Sequence, residues 1–286
     1  MNTQVADTLH KAVADTVAKG NDSGWILHHV MDNKTLSFEP FGEIHFPVIN
    51  KLFGYNLGFD IGPTKHIFFM WLSALLVVVL LTIAARRYRN GNLVPKGLSN
   101  FFEILIVFVR DEIAKPTIGK GYEKFLPYLL TAFFFILFGN FLGLIPYSAT
   151  FTSNISVTAA LASLTFIMTQ FGGMRSNGPL KYFKNLVPHG IPVFLIPLMV
   201  VVELLGLFTK PFALCIRLFA NMIAGHTVIL ALIGLIFFMH TVFVAPVSIG
   251  FALFIYLLEI LVALIQAYIF TMLSSLFIGM AVHQEH

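Results

Sequence analysis

The sequence predicts an all-α integral membrane protein. Of its 286 residues, 57% are hydrophobic and only 11% are Asp, Glu, Lys or Arg, against the ~25% charged residues of a soluble domain. Phenylalanine contributes 31 of those hydrophobic residues. The apolar residues are also gathered into uncharged runs of the length that crosses a hydrocarbon core, about 20 residues for roughly 30 Å. The net charge of +4 is concentrated in loops, where it bears on orientation and not on nucleic acid. Cys215 is the single cysteine, which excludes an intrachain disulfide and a cysteine-based metal cluster.

Residues 1–65 form a polar N-terminal arm. Asp7, Lys11, Asp15, Lys19 and Asp22 interrupt its first stretch, so it reads neither as a secretory signal nor as an Arg-rich transit peptide. The first span is expected at 66–85, an uncharged run closed by Arg86, Arg87 and Arg89. Residues 97–113 behave differently. Asn100 and Glu103 suit a helix start, and Leu98, Phe101, Phe102, Leu105, Phe108 and Val109 share one face between charged ends. That pattern predicts a helix lying along the membrane interface. Residues 125–174 lack Asp, Glu, Lys and Arg altogether. They supply spans at 126–145 and 155–173, separated by the polar, Pro-containing stretch from Ile145 to Asn154.

From 191 to 282 only Glu203, Lys210, Arg217 and Glu259 carry a full charge. As one helix, 191–239 would be roughly 73 Å long at about 1.5 Å per residue. It is either two spans broken at Lys210-Pro211 or one strongly tilted helix. A turn near Ala245-Pro246 leads to a last helix at 248–282.

Loop charges set the expected orientation. Arg86, Arg87, Arg89, Lys96, Arg110, Lys115, Lys120, Lys124, Arg175, Lys181 and Lys184 fall on one side, and the opposite loops, 146–154 and 240–247, hold no Lys or Arg. With five crossings the N-terminus is external and the C-terminus internal. The arm's five Lys against seven Asp or Glu agree with an external position.

Ionisable side chains within such helices are costly and mark ion pathways. Arg217 stays protonated under essentially all conditions and has no acid within a helical turn. Snorkelling to an interface would be a long reach in so extended an apolar run. Asn221, four residues on, shares its face, and Glu203 and Lys210 lie near that face. His226, nine residues on, points away from Arg217. On the last helix Glu259 and Gln266, seven apart, share a face that continues to Ser274 and Ser275. Taken singly, Glu259 reads as a neutral buried acid and His226 as a satisfied core histidine. Taken together, two titratable groups suit a proton relay. Asn140 is suited to hydrogen bonding between helices.

At this point the chain resembles the a subunit of F-type ATP synthases. The residues that carry the likeness run from Lys210-Pro211 through Arg217-Leu218-Phe219-Ala220-Asn221-Met222-Ile223-Ala224-Gly225-His226. They include Glu203, the segment from Asn140 to Pro146, and Glu259 with Gln266. The resemblance implies five crossings, with 191–239 and 248–282 as a long tilted hairpin. It implies a proton-translocating, non-catalytic stator in a bacterial inner membrane, without cofactor or metal. Its implied partners are a ring of c subunits, peripheral-stalk b subunits and the rest of the synthase. It makes Arg217 the stator arginine facing the rotor carboxylate, and Asn221, His226, Glu259, Gln266, Glu203 and Asn140 the proton path. In some similar proteins the acid and the histidine are exchanged between the positions of His226 and Glu259. A paired exchange implies that the two positions are close in space.

An ion-coupled secondary transporter or channel is the alternative. It predicts acid partners for Arg217 within this chain or a bound anion, and the chain lacks the internal repeat common in transporters. An intramembrane hydrolase would need a nucleophile and base or a metal set, and no HExxH is present.

Overall fold

In the computed structural model, the described residues are 35–38, 42–45, 51–52, 55–56, 64–89, 97–145, 148, 150–184, 194, 196–239 and 243–283. Two short antiparallel hairpins lie within the arm, β1 (Thr35–Phe38) with β2 (Gly42–His45) and β3 (Lys51–Leu52) with β4 (Tyr55–Asn56). From residue 64 onward the described structure is helical. Five helices are long and apolar enough to cross a membrane.

The first, α1 (Lys65–Arg89), contains the run expected at 66–85. It turns Phe69, Val77 and Ala84 inward and leaves Leu75, Val78, Val79 and Ile83 exposed. In a bilayer that outer face meets lipid, because tails are as apolar as leucine. The next helix, α2 (Leu98–Phe108), continues through a π-helical turn, Val109–Ala114, into α3 (Lys115–Ile118). It therefore runs further than the expected 97–113. Pro116 supplies a physical reason for the wide turn. It has no N–H for the carbonyl four residues back, and its ring would press on that carbonyl in a regular helix. Of the expected face, Phe102 and Val109 are in the core and Leu105 and Phe108 pack against it, and Phe101 alone of these lies outside. Ile113 and Ile118 also point inward. Within the π turn, Arg110 holds Asp111 through paired hydrogen bonds of 2.8 and 3.0 Å, and Lys115 also reaches it. These contacts, Arg110's first, hold the Asp111 carboxyl well below the usual carboxylate range.

The central helix is α4 (Leu126–Gly143), two residues shorter than expected. Leu129, Phe133, Phe134, Ile136, Leu137 and Asn140 are all buried on it. Phenylalanine abundance has its structural use here: Phe134 packs against Phe102, Phe133 and Phe138 with ring centroids 5.4–6.3 Å apart. Gly139 and Gly143 give α4 a bare edge. A Cβ at Gly139 would run into the Phe151 ring, and one at Gly143 into the Thr150 side chain. The polar connection can therefore fold back onto α4, where Phe151–Ser153 makes one 3-10 turn. Asn154 then caps α5 (Ile155–Asn177), its side chain accepting from the Ser156 N–H at 2.9 Å. Buried Thr158, Ala162, Thr165 and Thr169 form a small-residue face on α5, as close helix packing in membranes favours. After Gly178, whose φ of 79° ends the helix, comes the short α6 (Pro179–Lys184).

The segment 196–239 is a single helix, α7 (Ile196–Met239), with Pro211 inside it. Its 44 residues extend about 66 Å at roughly 1.5 Å per residue. Only an inclined crossing keeps that apolar length within a core of about 30 Å. The last helix, α8 (Val244–Val282), starts earlier than the expected 248. The turn therefore precedes Val244, and Pro246 sits in the first helical turn, where its missing N–H has no partner to lose. The two helices pack as an antiparallel hairpin. Its register is marked by Ser248 Oγ donating to the Leu232 carbonyl at 2.6 Å and by Lys210 Nζ 5.7 Å from the Phe277 ring centroid.

Near its C-terminal end, α8 is locked to α3 by the Thr117–Ser275 hydroxyl pair and by Gly279, where a Cβ would collide with the Thr117 carbonyl oxygen. That neighbour is backbone and cannot rotate aside. Gly279→Val is therefore expected to destabilise the chain by about 1–3 kcal/mol, the usual cost of overpacking. The check is the amount of chain surviving mild heating in detergent extracts. Survival equal to that of the parent would contradict the close contact.

Candidate functional site in the α7–α8 hairpin

Two faces of α7 do different things. Leu214, Leu218 and Met222 are buried and pack inward at four-residue spacing. Ala213, Arg217, Asn221 and Ala224 fall on the exposed side. Arg217 thus lies near the midpoint of the helix with its side chain directed away from the chain's own core. Among the described residues no carboxylate lies within ion-pair distance of it. The small Ala213 and Ala224 flank it, so the approach to the guanidinium is open. The transporter reading calls for an acid inside this chain or a bound anion beside Arg217, and none of the described acids meets it.

Two contacts join α7 to α8 beside this face. Asn221 Nδ2 donates to Gln266 Oε1 at 2.8 Å. Further toward the end carrying residues 240–247, His226 Nδ1 lies 3.4 Å from Glu259 Oε1. Glu259 is only 4% exposed and Gln266 2%, so both present polar groups to the hairpin interior. Gly225 makes the Glu259 position possible, because a Cβ there would come within 2.7 Å of Oε1. The nearness of His226 and Glu259 implied by their exchange in similar proteins agrees with this distance. His226 also points away from the Arg217 face, as the nine-residue spacing requires.

Thr150 touches this pair, and His66 in turn touches Thr150. Thr150 Oγ1 is 2.7 Å from His226 Nε2, and the Thr150 carbonyl accepts from His66 Nδ1 at 3.0 Å. Both were missed in the sequence. Thr150 sits in a polar turn and His66 in the first turn of α1, with no shared period to connect them. The remaining candidates lie elsewhere. Asn140 is fully buried on α4, its Oδ1 accepting from Thr152 Oγ1 at 2.9 Å. Glu203 lies half-buried on the N-terminal half of α7, fourteen residues from Arg217. Neither is in contact with the His226–Glu259 pair. Among the described residues no three His, Cys, Asp or Glu side chains cluster as a metal site requires.

A polytopic membrane protein with a bare arginine on a long helical hairpin, and an acid–histidine pair inside it, belongs to the class of ion-translocating membrane-sector subunits. Residues 67–279 match the family model described as ATP synthase A chain. The chain is 52% identical to "ATP synthase subunit a" of Chloroherpeton thalassium, over 91% of this chain and 77% of that protein. It is 51% identical to "ATP synthase subunit a 2" of Chlorobaculum tepidum, over 95% and 77%. Against "ATP synthase subunit a" of Anaeromyxobacter dehalogenans it is 52% identical over 89% and 69%. The chain belongs to the ATP synthase A chain family.

Proposed function

We propose that the chain is the proton-translocating stator of a rotary ATP synthase, with two offset half-channels that open to opposite sides and are separated by Arg217. The observation that carries this reading is the exposed, unneutralised Arg217 at mid-helix, with polar residues of α7 and α8 on either side of its level. A cation so placed asks for an acid on another chain. The carboxylate of a c subunit in a rotor ring has that chemistry. Protons from outside pass His226, Glu259, Asn221 and Gln266 and neutralise one rotor carboxylate. The neutral acid can then face lipid, where the ionised form would be costly. After nearly a full turn it reaches the inner half-channel near Glu203 and releases its proton. Arg217 favours the ionised form, and its fixed charge blocks direct passage between the half-channels. Each proton contributes about 2.3 kcal/mol per 100 mV of membrane potential, which rotation carries to the catalytic head. The subunit itself catalyses no covalent step.

In this arrangement the N-terminal arm, residues 1–65, is outside and the C-terminus is cytoplasmic, in a bacterial inner membrane. Peripheral-stalk b subunits hold the chain against the torque of the ring, and Asn140 supports the connection between α4 and α5.

Two-sided thiol labelling tests the half-channels. In a Cys215→Ala background, Asn221→Cys is expected to react with a membrane-impermeant thiosulfonate applied outside. Glu203→Cys is expected to react only from the cytoplasmic side. Reaction of both from one side would contradict two offset half-channels.

A further inference from the structure

We propose that the Thr150 hydroxyl is the proton carrier immediately outside His226, and that His66 is the positioning residue that holds it there. The inference rests on reading His226 and Glu259 as part of the outer proton path. Its basis is one hydrogen bond, from Thr150 to His226, and the close approach of His226 to Glu259, whose carboxyl oxygens are buried without a hydrogen-bond partner among the described residues. Thr150 Oγ1 lies 2.7 Å from His226 Nε2, and His226 Nδ1 lies 3.4 Å from Glu259 Oε1. Thr150 is only 2% exposed and is held from three directions. Its carbonyl accepts from His66 Nδ1 at 3.0 Å, from Ser153 Oγ at 2.7 Å and from the Ser153 N–H at 3.1 Å. Its side chain fills the space left by the missing Cβ of Gly143. α1, distant in sequence, and the neighbouring end of α4 and 3-10 turn thus converge to aim one hydroxyl at one imidazole nitrogen.

The chemistry separates the roles. A hydroxyl both donates and accepts, so it can take a proton and pass one on. A backbone carbonyl only accepts, so His66 orients the turn and is outside the transfer itself. With the hydroxyl donating to Nε2, the hydrogen of neutral His226 lies on Nδ1, facing Glu259. A proton from outer water binds Oγ1 as the hydroxyl hydrogen moves to Nε2, leaving Thr150 unchanged. His226 then releases its Nδ1 hydrogen to Glu259 Oε1, and Glu259 passes its proton to the rotor carboxylate. The imidazole, left with its hydrogen on Nε2, resets by ring rotation. Its side chain is 25% exposed in the isolated chain.

Thr150→Val removes the hydroxyl at nearly constant volume, and Thr150→Ser retains it. ATP synthesis driven by an imposed proton gradient would be measured in vesicles bearing the whole complex, per assembled complex, across a range of outer pH. The Val variant is expected to lose about tenfold, the scale of one net hydrogen bond at the transfer step, and the Ser variant to retain most of the rate. The Val loss should shrink as outer proton concentration rises, because direct uptake from water then replaces the missing carrier. If Val assembles poorly, Thr150→Ala is compared with Ser in the same way. Wild-type rates in Val, or equal losses in Val and Ser, would overturn the inference. His226→Ala in the same preparation separates the two levels. Impaired His226→Ala with normal Thr150→Val removes only the Thr150 carrier, whereas normal rates in both remove the underlying proton path.

Discussion

Replacing Arg217 by Ala is expected to abolish ATP-driven acidification of inverted vesicles while the subunit remains in the membrane. The two halves of that expectation have separate grounds. Arg217 is exposed on α7 and its removal opens no cavity in the chain's core, so folding of the hairpin should survive. On the function proposed above, its charge is what a rotor carboxylate meets. An opposite charge at close range lowers a carboxyl pKa by about 1–3 units, so losing it cuts the ratio of ionised to neutral acid at the release position about 10- to 1,000-fold. Arg217→Lys should recover only part of the rate. An ammonium retains the charge but as a compact point on a flexible stem, and it can lose its proton when desolvated. Pumping at the parental rate with an assembled Arg217→Ala complex would sink this role, and a transporter reading would have to be reconsidered.

The second large effect is expected at the His226–Glu259 pair. Glu259→Leu should stop pumping, because on the proposed path the transported proton passes between this buried acid and His226 in either direction. His226→Glu alone places two carboxylates at the 3.4 Å separation now held by the pair. Like charges at that range force one acid to remain neutral, so this variant should also be strongly impaired. The double exchange, His226→Glu with Glu259→His, restores one acid and one imidazole and should pump better than either single variant. Groups in contact commonly couple by about 0.5–3 kcal/mol, and the recovery should fall in that range when the four pumping rates are compared. Simple additivity of the two losses would mean that the residues act independently despite their contact.

The membrane helices were readable because their signal is local. An uncharged apolar run of sufficient length has few alternatives, and α1, α4, α5 and α8 begin or end within a few residues of where composition placed them. The long α7 was less readable. Lys210-Pro211 carries the marks of a break, and only neighbouring packing decides that a proline is tolerated inside a helix. The same limit applies to the π turn at 109–114, since Pro116 announces a disturbance but not its form. Within the site, the residues whose spacing along one helix matters, Arg217 with Asn221 and Glu259 with Gln266, were legible as shared faces. Partners across helices were not. Nothing in the local pattern joins His66 to Thr150, 84 positions away, or explains why Gly225 and Gly143 must lack a side chain. Those glycines acquire meaning only once Glu259 and Thr150 are seen to occupy the space beside them.

The central claim is that a fixed positive charge on α7 keeps two half-channels from becoming one. Its most direct test is passive proton permeability of vesicles carrying the membrane sector with the catalytic head removed, comparing the parent chain, Arg217→Ala and Arg217→Lys at equal subunit content. The account predicts a higher leak in Arg217→Ala than in the parent and a smaller increase in Arg217→Lys. A leak in Arg217→Ala no greater than in the parent would contradict the claim that Arg217 separates the two paths.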